Sequence, residues 1–173
     1  MSVISNHMPT AELQALDAAH HMHPFTANDQ LAERGARVIT RASGVYLTDS
    51  DGNRILDGMA GLWCVNVGYG REEIAKAVYT QLMKLNYFAG AAGSVPGALF
   101  AEKLISKMPG MSRVYYTNSG SEANEKAFKM VRQISHKHYG GKKQKILYRE
   151  RDYHGSTIAT MSAGGQDERN AQY

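Results

Sequence analysis

Two short polar clusters in this sequence carry residue types suited to chemistry. The first is Asn118-Ser119-Gly120-Ser121-Glu122, directly after Val114-Tyr115-Tyr116-Thr117. Small residues ahead of an apolar helical pattern offer hydroxyls, unobstructed backbone N–H groups and the positive end of a helix dipole, a combination suited to a phosphate. The same residues also make an ordinary helix start, with Ser119 or Ser121 as cap and Glu122 and Glu125 in the first turn. Both readings stand on the loop alone. The second cluster is Asp152-Tyr153-His154-Gly155, which follows Lys145-Ile146-Leu147-Tyr148-Arg149 and brings an aromatic ring. A third group, His20-His21-Met22-His23, places His20 and His23 at i, i+3, where two imidazoles share a helix face. Metal binding would need further ligands. No Cys, Asp or Glu cluster at ligand spacing accompanies the histidines, Pro24 ends any helix there, and no metal site is expected.

The elements that must position these clusters follow from periodicity. Residues 114–117 are β-branched or aromatic and suit a short buried strand. Ala123, Ala127, Met130, Val131 and Ile134 then recur at helical spacing, and Gly140-Gly141 provides a stop. Residues 145–149 read as a further strand and residues 157–163 as the start of another helix. Strand, helix, strand implies a parallel pair joined by a right-handed crossover. Ligands in such sheets sit at the carboxyl ends of the strands, so both polar clusters can face one crevice.

Upstream, Thr10 to His20 reads as a short helix. Residues 37–40, 45–48 and 54–57 alternate as strands, with turns at Ala42-Ser43-Gly44 and Ser50-Asp51-Gly52-Asn53, giving a three-stranded antiparallel meander. Residues 58–70 are apolar but punctuated by glycine and read as a buried loop. Residues 71–85 form an amphipathic helix. Pro96 suits the first turn of another, which ends near Met108, before Pro109-Gly110.

Composition narrows the function classes. The chain has 173 residues, 43% hydrophobic and 21% charged, which is enough for a packed core and unlike a disordered chain. Its one cysteine, Cys64, excludes an internal disulfide framework and fits a reducing, cytoplasmic setting. The first residues lack the charged and apolar regions of a signal peptide, and no apolar run is long enough to span a bilayer. The formal charge of +4 owes much to Lys137, Lys142, Lys143, Lys145 and Arg149. Such a cluster suits nucleic acid or, more simply, a helix end whose cations face its negative dipole terminus. No nucleic-acid partner is expected.

Five blocks, in order, resemble the N-terminal part of class III aminotransferases. They are His20-His21-Met22-His23-Pro24-Phe25, Gly44-Val45-Tyr46-Leu47-Thr48-Asp49, Asp57-Gly58-Met59-Ala60-Gly61-Leu62-Trp63, Tyr116-Thr117-Asn118-Ser119-Gly120-Ser121-Glu122 and Tyr153-His154-Gly155. The subgroup acting on ω-amino acids and amines with pyruvate as acceptor is the most similar. The resemblance implies an α/β fold of the fold-type-I pyridoxal phosphate transferases: an antiparallel meander followed by the start of the mostly parallel large-domain sheet. It implies that residues 1–60 belong to the small domain and residues 61–173 to the first part of the large, cofactor-binding domain.

The resemblance also implies site residues. Gly120 and Ser121 match the cup for the phosphate of pyridoxal 5'-phosphate, and Tyr153 the ring that stacks on its pyridine. Phe25 and Trp63 match residues lining the substrate pocket. Read alone, Trp63 and Tyr153 are also plain core residues. The family's Schiff-base lysine and the acid that pairs with the pyridinium nitrogen fall beyond Tyr173. Lys126 and Lys129 match neither, so the chain is expected to be part of a longer protein and inactive alone. Substrates would be an amine and a keto acid, with taurine or β-alanine favoured as donor, and the complete enzyme a homodimer. An aminomutase or decarboxylase on the same scaffold, and a non-catalytic phosphate-binding module, are the alternatives.

Overall fold

A computed structural model describes residues 8–88 and 91–171. The chain divides into two units, Met1–Gly90 and Ala91–Tyr173.

In the first unit, α1 (Thr10–His20) and α2 (Asn28–Arg34) precede the strands β1 (Ile39–Ser43), β2 (Tyr46–Asp49) and β3 (Arg54–Leu56). The strands form the expected antiparallel meander in the order β1-β2-β3, but β1 runs on through Ala42 and Ser43 of the expected turn. Ser43 pairs with Tyr46, Leu47 with Ile55, and the β1–β2 register slips between Ile39 and Arg41. Asp49 is buried at the end of β2 and closes the next turn. Its carboxylate accepts from the Asn53 side chain at 3.0 Å, the Asn53 amide at 2.8 Å and the Asp51 amide at 3.1 Å. These bonds, the Asn53 side chain first, hold its pKa below the usual value. Helix α2 has Leu31 as its main apolar residue, so hydrophobic spacing gave no sign of it. Helix α3 (Glu72–Lys84) carries acid at its start and Lys84 at its end, and Lys76 pairs with Glu72 at 2.7 Å.

Residues 58–70 differ from the expected buried loop. Met59, Leu62, Trp63 and Val67 are all exposed. Ala60, Gly61, Leu62 and Trp63 have φ of 48°, 60°, 62° and 64°, forming a left-handed turn. Left-handed backbone crowds the Cβ of an L residue against the following carbonyl and costs roughly 1–2 kcal/mol per non-glycine residue. Within this chain the stretch is therefore a strained turn that presents its apolar side chains outward.

In the second unit, Ser94 caps α4 (Val95–Ile105) by accepting from the Gly97 amide at 3.3 Å. Ser119 caps α5 (Gly120–Tyr139), accepting from the Glu122 amide at 3.1 Å. Gly140 ends α5 with φ 58°, a left-handed position where glycine has no Cβ to clash. Short helices α6 (Ile158–Ser162) and α7 (Asp167–Asn170) follow. Gly155, Thr160, Ala163, Gly164 and Gly165 are buried in this unit, as is Ser135 of α5, which accepts from the Lys143 amide at 2.9 Å.

The expected parallel pair of strands is absent among the described residues. Residues 114–117 and 145–149 have strand composition but no hydrogen-bonded ladder. A strand exists through the N–H and C=O groups of a neighbour, and neither segment has one. Tyr116 instead donates to the Gly97 carbonyl at 2.8 Å and stacks on Phe100 at 6.0 Å. The basic cluster behaves as a helix end: Lys137 lies in the last turn of α5, Lys143 covers the Tyr139 ring at 3.8 Å, and Arg149 pairs with Asp152.

The accessible surface of the chain is 14998 Å². Two compact bodies of half its mass would together expose only about 10,000 Å² however they were arranged. The apolar side chains follow the same pattern, since Ala36 and Ala163 are the buried hydrophobic residues among those described.

Candidate active site

The phosphate-cup candidate lies where α5 begins. Ser119 serves the cap and Glu122 accepts from the Asn118 amide at 2.8 Å, so both are occupied by the backbone. The Gly120 and Ser121 amides lie in the first turn, ahead of the intrahelical ladder, where N–H groups point out of the helix. A β-carbon built on Gly120 would meet nothing within 4 Å. The packing of this chain therefore does not require glycine there, and the bare backbone faces open space.

The second cluster is fastened onto that turn. The Ser156 amide donates to Ser121 Oγ at 3.0 Å, Asn124 Nδ2 to the His154 carbonyl at 2.6 Å, and Thr157 Oγ1 to Glu125 Oε1 at 2.6 Å. Three bonds from the first turns of α5 thus grip residues 154–157. The amide from Ser156 fills one lone pair of Ser121 Oγ and leaves its hydroxyl proton available to an anion. Gly155 sits at the centre with φ 140°. A β-carbon there would lie 2.5 Å from Ser121 Oγ and 2.6 Å from Thr160 Oγ1. Tyr153 precedes this clasp, 53% exposed, with the Arg169 guanidinium 5.4 Å from its ring centre. Asp152 accepts from the Arg149 amide at 3.0 Å, which, with the Arg149 side chain and nearby His154, keeps its carboxyl below the usual range.

Phe25 and Trp63 belong to the first unit and are 69% and 79% exposed in it. Each stands on left-handed backbone held by a polar side chain. Phe25 has φ 53°, and Asn28 clamps its turn by accepting from the His23 amide at 2.8 Å and donating to the carbonyls of His23 and Thr26. Trp63 ends the left-handed turn anchored by Asp57. The Asp57 carboxylate accepts from the Tyr69 hydroxyl at 2.7 Å, the Gly61 amide at 2.7 Å and the Met59 amide at 3.1 Å. The Tyr69 hydroxyl, ahead of these amides, lowers the Asp57 pKa, and Asp57 raises that of Tyr69. At neutral pH the pair is thus carboxylate and intact phenol.

The histidine cluster is arranged differently from its spacing. Asp17, absent from the sequence reading, accepts from His23 Nε2 at 2.8 Å and contacts His21 Nδ1 at 3.1 Å. The three potential ligand atoms lie within 4.8 Å, and His20 is not among them. The carboxylate engages one nitrogen of each ring, and these bonds, His23 first, lower its pKa.

The model of the class-III aminotransferase family matches residues 28–172. The chain belongs to this family. It is 56% identical to a hypotaurine/taurine–pyruvate aminotransferase of Paracoccus denitrificans over 174 aligned residues, covering all of this chain and 38% of that protein. It is 54% identical to a taurine–pyruvate aminotransferase of Rhodobacter capsulatus, covering 94% of this chain and 36% of that one. In structure it matches an (S)-enantioselective ω-transaminase of Thermomicrobium roseum with a TM-score of 0.92 and 36% identity, over 96% of this chain and 38% of the other. This class-III chain therefore spans little more than a third of the length of such relatives. Its fold is the α/β fold of the N-terminal part of fold-type-I transferases. No described helix is long and apolar enough to cross a membrane.

The sequence places Glu125 in the first helical turn and Asp57 in a matched block, but it does not foretell their contacts or those of Asn124 and Tyr69. Asn124 and Asp57 left a signal: Asn is a weak helix residue, and Asp before Gly favours a side-chain-to-backbone turn.

Proposed function

We propose that the complete protein is a pyridoxal phosphate-dependent aminotransferase acting on an ω-amino acid or amine with pyruvate as acceptor. The observation that carries this reading is the clasp, which fixes the loop after Tyr153 to Ser121 beside unengaged amides. In this reading the Gly120 and Ser121 amides and the Ser121 hydroxyl bind the phosphate, and Tyr153 stacks on the ring. Phe25 and Trp63 bound the substrate. Pyridoxal phosphate, when bound, would supply the electron sink for proton loss at the amine carbon. The chain's residues bind and orient; the lysine that moves the proton lies beyond Tyr173. Residues 1–60 would belong to the small domain and residues 61–173 to the large one, in a cytoplasmic homodimer.

Ser121→Ala tests the cup. It removes a charge-assisted donor to a dianion, worth roughly 1.5–3 kcal/mol, so pyridoxal phosphate should bind about 10- to 150-fold more weakly to the complete protein. Pyridoxal, which lacks the phosphate, serves as control and should bind equally to both forms. Equal affinities for the phosphate form would remove Ser121 from the site.

For the amino donor we favour taurine or β-alanine. The taurine-using relatives support this, and so does Gly90-Ala91, which the resemblance to amine transaminases implies is the place of large rings in some members acting on bulky aromatic amines; Gly90 lies outside the described residues. Two missing rings forfeit roughly 0.5–1.5 kcal/mol per aromatic contact, which penalises an aromatic amine more than a short, charged one. Steady-state kinetics with pyruvate should give a higher kcat/KM for taurine or β-alanine than for phenylethylamine. The reverse order would favour the aromatic-amine class.

A further inference from the structure

The left-handed turn 60–63 is the most strained backbone in the first unit, with Ala60, Leu62 and Trp63 all at φ values that L residues avoid. Such a run persists only where its surroundings over-determine it. Here the surroundings converge on one carboxylate. Asp57 holds the Met59 and Gly61 amides from inside the turn and the Tyr69 hydroxyl from outside it. Tyr69 is itself fixed by two backbone bonds with Gly44, at 2.8 and 3.1 Å, which tie it to the end of β1. The Gly61 position is filled on its other side: a β-carbon there would meet Val65 Cγ2 at 2.7 Å and Tyr69 Oη at 2.9 Å.

We propose that Asp57, braced by Tyr69, is a positioning residue for Trp63. The latch ties the left-handed turn to the meander and sets the direction of the indole. Without it the backbone would relax toward the right-handed or extended regions that L residues prefer, carrying Trp63 away from its bearing. Phe25 repeats the device with Asn28 as its clamp, so both candidate pocket side chains are displayed from left-handed backbone held by a polar side chain. The inference rests on the reading of Trp63 as a substrate contact, and its test separates the two.

The experiment uses the complete protein and the variants Tyr69→Phe, Asp57→Asn, Trp63→Ala and Trp63→Phe. Subtracting the spectrum of Trp63→Phe isolates the near-ultraviolet circular dichroism of Trp63. Tyr69→Phe removes one hydroxyl and no packing volume, so it remains informative if Asp57→Asn fails to fold. Expected for Tyr69→Phe are a weakened Trp63 band and an amine KM raised roughly 3- to 10-fold toward the Trp63→Ala value, the range of one aromatic contact. Pyridoxal phosphate affinity should hold. An unchanged band and unchanged KM in Tyr69→Phe would overturn the proposal. If the band weakens but Trp63→Ala leaves the amine KM untouched, the latch stands and the substrate role of Trp63 falls.

Discussion

Gly155→Ala is expected to destabilise the second unit and to abolish tight pyridoxal phosphate binding by the complete protein. The new β-carbon would meet Ser121 Oγ at 2.5 Å, Thr160 Oγ1 at 2.6 Å and Ser121 Cα at 3.0 Å. Thr160 is fully buried, and one of these contacts is backbone, so rotating a side chain cannot clear the clash. Overpacking of this kind costs about 1–3 kcal/mol. Residue 155 also has φ 140°, a region nearly closed to residues with a β-carbon and worth a further 1–3 kcal/mol or so. The combined loss is a large part of the roughly 5–15 kcal/mol that holds a domain together. Urea titration of the wild type and the variant, followed by cofactor titration of whatever remains folded, measures both effects. Adding Ser121→Gly to Gly155→Ala removes the nearest obstacle and should recover part of the stability without recovering the cofactor. A Gly155→Ala protein with wild-type midpoint and affinity would mean that the loop does not rest on Ser121.

The 173-residue chain studied alone is expected to bind a hydrophobic dye strongly and to melt without a cooperative transition. Its surface exceeds that of two compact bodies of the same mass by about 5,000 Å². Much of the excess is apolar: Ile74, Val78, Leu82, Leu99, Phe100, Val131, Ile134 and Leu147 are all exposed. Contiguous apolar surface beyond a few hundred Å² is rare on stable monomers. Helix α3 shows the origin, since Ile74, Val78 and Leu82 share one face of it and none is buried. Dye fluorescence and calorimetry decide the matter, because a sharp melting transition with no dye binding would mean that these faces are satisfied within the chain. Borohydride treatment of the isolated chain with pyridoxal phosphate should fix no stoichiometric cofactor.

What could be read from the sequence was mostly local. Helix α1 matches its expected limits, α3 and α5 lie within a residue or two of theirs, and the meander has the expected pairing. Periodicity, Ser119 and Gly140 are signals carried by neighbouring residues. The unpaired segments 114–117 and 145–149 mark the boundary of that kind of reading. Their composition expresses a preference for strand, but a ladder needs a neighbouring strand, which local composition does not report. The same holds at the candidate site. Gly120, Ser121 and Tyr153 are candidates legible in short motifs, whereas Asn124, Glu125 and Thr157 act through contacts 30 or more residues apart. The left-handed turn was missed for another reason: its residues are apolar and ordinary, and nothing in Ala-Gly-Leu-Trp announces positive φ at three positions that carry a β-carbon.

The meander also imposes a timetable. Its three strands are joined by turns of a few residues, so each pairing closes a small loop, and hairpins of this kind form in roughly 1–10 μs. A ribosome adds only about 5–20 residues per second. Strands β1 to β3 can therefore pair, and Tyr69 can dock on Gly44, before α5 has been translated. Residues 114–117 and 145–149 emerge later, and neither gains a ladder partner among the described residues. During synthesis the nascent chain would carry a paired meander beside apolar faces still open to water, and those faces are where a chaperone would have reason to bind.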